Sequence, residues 1–103
     1  MNEECKSTEE MIQKKGLNAP RLTPQMIEET IKKCEFFKLT DVLTVCVLTL
    51  QNGFTVTGES ACASPENYDK EIGEKIAREN AKEKIWLLEG YLLKQRLFEK
   101  TKG

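Results

Sequence analysis

The chain has 103 residues, the length of one small domain, and its 16 basic and 17 acidic side chains leave a net charge of -1. That balance argues against a general binder of nucleic acid or membrane surface, which carries a basic excess. Histidine is absent, which removes the usual general base, the usual metal ligand and the Ser/His and Cys/His nucleophile pairs. Residues 1–20 are polar throughout and read as a flexible N-terminal segment without a secretory signal. Residues 21–103 read as a single α+β domain, and no apolar run approaches the roughly 20 residues of a membrane span.

The first helix is expected from Thr23, a natural cap followed by Pro24 at the first helical position. Ile27, Ile31 and Cys34 then repeat at helical spacing, which predicts an end near Lys33. Glu35 to Leu39 reads as an edge strand and Val42 to Gln51 as a central strand with apolar residues on both faces. Asn52-Gly53 predicts a two-residue type I′ hairpin leading into a third strand over 54–61. In that register Gln51 faces Phe54 and Thr49 faces Val56. Leu43, Val45, Val47, Phe54 and Val56 would then share the face under the long helix. Cys46 and Cys62 would lie on opposite faces and form no disulfide.

Ser64-Pro65-Glu66 reads as the start of a helix over about 65–99. Ala77, Ala81, Ile85, Leu88 and Leu92 form its apolar stripe. Such a helix of about 35 residues would reach roughly 52 Å, whereas a compact domain of this size is only about 34 Å across. It must therefore kink, break or project, and the break is expected between Trp86 and Gly90, because glycine weakens a helix interior. The fold expected is α+β: an N-terminal helix, a three-stranded antiparallel meander (35–39, 42–51, 54–61) and a long interrupted C-terminal helix.

Little in the chain points to chemistry. The four cysteines, at 5, 34, 46 and 62, include no Cys-x-x-Cys pair. They read as reduced thiols serving as small apolar filler, with no metal and no cofactor. Glu89 lies amid Trp86, Leu87, Leu88 and Tyr91, and is expected to receive backbone N–H groups freed at the helix break. Lys70, Lys75, Arg78, Lys82 and Lys84 alternate with acids, the pattern of a solvated face rather than a nucleic-acid surface. The candidate ligand-binding residues are Glu59, Ser60, Ser64 and Asn67, at the turn into the long helix. Unbonded N–H groups gather there and attract anions, against the opposition of Glu66 and Asp69.

The stretches Leu48-Thr49-Leu50, Asn52-Gly53-Phe54-Thr55-Val56, Gly58-Glu59-Ser60-Ala61-Cys62 and Ser64-Pro65-Glu66-Asn67 form one pattern with Lys84-Ile85-Trp86 and Glu89-Gly90-Tyr91-Leu92-Leu93. The combination resembles the phage gene 49 / gene 66 family of small tailed-phage and prophage proteins, over about Val42 to Leu97. Relatives often place proline after the tryptophan, where this chain has Leu87, which implies a bend there. The resemblance implies a phage or prophage accessory protein made in the host bacterial cytoplasm; it lends no activity, cofactor or residue role.

Two functions are therefore expected. The first is a non-catalytic accessory protein, not an enzyme, that binds and modulates a host macromolecule, with a host protein as partner. The alternative is an oligomeric binder of a small anionic ligand such as a nucleotide. Open strand edges and a second apolar face predict a homo-oligomer, taken as a dimer, with no nucleic-acid or membrane partner.

Overall fold

The computed structural model describes residues 20–102. The expected flexible segment over 1–20 lies, but for Pro20, outside them. Helix α1 spans Pro24–Thr30, strand β1 Ile31–Lys38, β2 Leu43–Leu50, β3 Thr55–Ala61 and helix α2 Lys70–Lys102, with a 3-10 turn at Pro65–Asn67 before α2. The sheet order β1-β2-β3, antiparallel throughout, is the expected meander with β2 at its centre. The α+β class is as expected.

Three local expectations are corrected. Helix α1 ends at Thr30, and Ile31 to Cys34 begin β1 rather than continuing the helix. Ile27 and Ile31 fit helical spacing, but β-branched Ile31 and its neighbours gain a full ladder to β2 by extending. A register shift between Ile31 and Lys33 absorbs the abrupt change.

The hairpin turn holds three residues, not two. Leu50 N–H donates to the Phe54 carbonyl at 2.8 Å and Gly53 N–H to the Leu50 carbonyl at 2.9 Å. Only Gly53 has positive φ, at 90°, whereas a type I′ turn needs it at both central residues. Asn52 instead uses its side chain, which accepts from the Phe54 N–H at 2.9 Å. The change shifts the register by one residue: Thr49 pairs with Thr55, Leu48 with Val56 and Cys46 with Gly58. A one-residue slip exchanges faces. The face under α2 is accordingly Thr44, Cys46, Leu48, Leu50 and Val56, all buried, while Leu43, Val45 and Val47 turn to the open side, half-buried. By the same alternation Cys62 follows Val56 and Gly58 to the side of Cys46. The described cysteines are nonetheless all free.

Helix α2 runs from Lys70 to Lys102 without interruption. Its expected break near Trp86 to Gly90 is absent; the roughly 1 kcal/mol that Gly90 costs does not interrupt it. Of the outcomes that helix length allowed, the helix projects, and the molecule is 55 Å long. Ala77, Ala81 and Ile85 are fully buried on the sheet, as the stripe predicted. Beyond Ile85 the stripe outruns strands of seven or eight residues, which cover only about 25 Å.

Candidate functional site

The four residues expected at a ligand site lie along the end of β3 and the turn before α2, outside the groove described below. Glu59 is exposed on β3, and its carbonyl accepts from Asn80 Nδ2 at 2.8 Å. That bond occupies one outward acceptor of a free sheet edge. Ser60 is half-buried opposite Thr44. Ser64 makes no capping bond to the backbone; its hydroxyl donates to the Glu66 carboxylate, which holds that carboxyl below its ordinary range. Asn67 ends the 3-10 turn, its N–H on the Ser64 carbonyl at 3.0 Å. The long helix starts later than expected, and Asp69 caps it by accepting from Ile72 N–H at 3.1 Å. A carboxylate thus already stands where an anion would bind.

Open apolar surface gathers instead at the opposite end of β3. Helix α1, the hairpin turn and the projecting half of α2 wall a groove of about 640 Å³, lined by Leu22, Met26, Ile27, Leu50, Phe54, Leu88, Tyr91 and Leu92, with Glu29, Gln51, Asn52 and Glu89 among its polar lining. Phe54 is 55% exposed and Tyr91 74%, large values for aromatic rings in a chain this small. On the other side of Phe54 a second cleft continues to Leu87, itself exposed, and Lys84. Aromatic and methionine side chains with a polar rim are the composition of protein–protein contact surfaces. Glu89, expected at a helix break, lines this groove on an unbroken helix.

The α1 wall is positioned by two contacts. Ile27 is its one fully buried residue. Next to it Glu28 accepts both arms of the Arg78 guanidinium, at 3.0 and 2.9 Å, and the Lys82 ammonium at 2.9 Å. Arg78 and Lys82 on this part of α2 therefore bind α1. Hydrogen bonding from Arg78, with Lys82 helping, lowers the Glu28 carboxyl from 4.5 to about 2. A carboxylate with a depressed folded pKa contributes stability above its unfolded value and loses it as pH falls. Glu28→Gln should therefore cost about 1 kcal/mol near neutrality, discounted for its half-exposed setting. The difference from wild type should close between pH 4.5 and 2, as read by urea melts across that range.

Sequence reasoning missed this groove. Its signals were present: a stripe continuing to Leu88 and Leu92 past the sheet, and a helix too long for a compact domain. What could not be seen was that α1 stops at Thr30 and lies across from that overhang.

The fold and groove define a small α+β protein built around one long helix, with an apolar surface at the helix's projecting half. The chain belongs to the Phage protein (N4 Gp49/phage Sf6 gene 66) family, whose model matches residues 22–97. No curated protein and no solved structure matches it. Among the described residues no helix is long and apolar enough to cross a membrane.

Proposed function

We propose that this phage-family protein is a non-catalytic accessory protein that binds a host protein in the bacterial cytoplasm and modulates it. The groove between α1, the hairpin turn and the projecting half of α2 carries this reading. It offers Met26, Phe54, Leu88, Tyr91 and Leu92 to a partner along an open cleft, and such exposed anchors supply most of the binding energy at an interface. The absence of histidine from the sequence fits a binding role. A homodimer belongs to the same reading, since the half-buried Leu43, Val45 and Val47 leave a second apolar surface on the sheet's open face.

The test is affinity purification with mass spectrometry from infected cells, comparing wild type with Phe54→Asp. Phe54 is exposed at the turn, so the charge should spare the fold while placing a carboxylate in the groove. One host protein should be enriched by wild type and fall at least about tenfold with the variant, as loss of one anchor of 1.4 kcal/mol or more implies. Failure to enrich any host protein would overturn the reading. Light scattering on the purified protein should return twice 11.8 kDa; the monomer mass would remove the dimer.

A further inference from the structure

Two neighbouring thiols, one exposed and one buried, lie outside the groove. Cys34 lies opposite Leu48 on the edge strand β1, and Cys46 opposite Phe36 on β2. They are diagonal neighbours on the sheet face beneath α2. Their sulfurs are 3.8 Å apart. The third described cysteine differs: the Cys62 thiol donates to the Ser64 carbonyl at 3.3 Å.

We propose that Cys34 and Cys46 are a redox pair that a hydroperoxide closes to a reversible disulfide. The two positions divide the chemistry. Cys34 is exposed and meets the oxidant first, whereas Cys46 is fully buried. Burial pushes the Cys46 thiol up to about 12, which keeps it protonated and protected until its neighbour has reacted.

The steps balance without a further reactant. The Cys34 sulfur attacks the O–O bond and becomes a sulfenic acid, and the alcohol leaves with the thiol proton. The Cys46 sulfur then attacks the Cys34 sulfur; the S–O bond breaks and hydroxide leaves with the Cys46 proton as water. Both thiols are oxidised by one electron each, and one hydroperoxide is reduced by two.

Closure requires the sulfurs to approach by about 1.8 Å to reach bonding distance. Strand β1 can supply that movement, because it is an edge strand and its register already shifts between Ile31 and Lys33, beside Cys34. A bond that must pull an edge strand is strained, and strained disulfides are the ones that reducing agents reopen readily.

The full-length reduced protein should be treated with a small molar excess of hydrogen peroxide. The intact mass should fall by two hydrogens per chain, and peptide mapping should join Cys34 to Cys46. Dithiothreitol should restore the mass and the starting melting temperature. Cys62→Ser should behave as wild type, while Cys34→Ser should lose the bond without threatening the core, since Cys34 is exposed. Cys46→Ala should leave a Cys34 sulfenic acid that dimedone traps. A bond mapped to Cys5 or Cys62 instead, over-oxidation of Cys34 in wild type without a bond, or two thiols that survive the treatment would each overturn the proposal.

Discussion

Gly58→Ala should be the most damaging single-methyl change in this protein, lowering stability by about 3 kcal/mol or more. Strand propensity alone predicts the opposite sign, because alanine in place of glycine inside a strand ordinarily gains about 0.5–1 kcal/mol. Packing decides it. A Cβ on Gly58 would lie 2.2 Å from the Ala81 nitrogen, 2.3 Å from the Ala77 oxygen and 2.8 Å from the Asn80 carbonyl carbon. All three are backbone atoms of α2, so no side-chain rotation relieves the contact. The helix would have to lift from the sheet along the stretch where Ala77, Ala81 and Ile85 are fully buried. For a domain this small the change should lower Tm by about 15 °C or more, measured by calorimetry or circular dichroism. Gly53→Ala is the control. Its Cβ would meet nothing within 4 Å, but φ of 90° is unfavourable for alanine, and the expected cost is only about 1–2 kcal/mol. Equal losses at the two positions would refute the close-approach argument.

Ile27→Ala should cost about 3 kcal/mol, and its effect should be local before it is global. Helix α1 has seven residues, far short of the roughly 12–15 at which an isolated helix becomes even marginal in water. Its order therefore depends on attachments. Thr23 Oγ1 accepts from Met26 N–H at 3.2 Å, Gln51 N–H donates to the Thr30 carbonyl at 2.9 Å, and Glu28 holds Arg78 and Lys82. These contacts are solvent-accessible, and each contributes about 1 kcal/mol or less. Ile27, with no exposed surface, supplies the larger share. Hydrogen exchange should show faster opening of α1 while β2 and β3 keep most of their protection. Ile27→Val should cost only about 1 kcal/mol. Because α1 forms one wall of the groove, Ile27→Ala should also weaken partner binding without removing any exposed anchor. Uniform loss of protection across the whole sheet would show that α1 has no separate docking step.

The proposed redox pair and the groove occupy different parts of the molecule. Cys34 and Cys46 lie beneath α2 where it crosses the sheet, whereas Phe54 of the hairpin turn and Leu88 and Leu92 of the projecting half of α2 line the groove. Cys34→Ser and Phe54→Asp should therefore separate cleanly, each removing one property and leaving the other.

Much of this architecture is legible in the residue order because it depends on local chemistry. Thr23-Pro24 starts α1, the nearly continuous apolar run over Val42 to Leu50 makes β2 a central strand, and the spacing of Ala77, Ala81, Ile85, Leu88 and Leu92 marks the inner stripe of α2. The family pattern over Val42 to Leu97 lies in the same residues. Three matters depended on contacts between elements. Helix α1 stops at Thr30 because Ile31 onward gains a ladder to β2, which helical spacing cannot foresee. Asn52-Gly53 is compatible with both a two-residue and a three-residue turn; the choice falls to the register that places Val56 beside Leu48 and brings Gly58 under Ala77 and Ala81. A residue pair cannot carry that information, since a glycine's value here is the space it leaves for another element's backbone. The groove arises in the same way. Length determined that a helix over about 65–99 must kink, break or project. Only the tertiary structure decided that it projects, because Ala77 to Ile85 hold it straight against the sheet and strands of seven or eight residues end before the helix does.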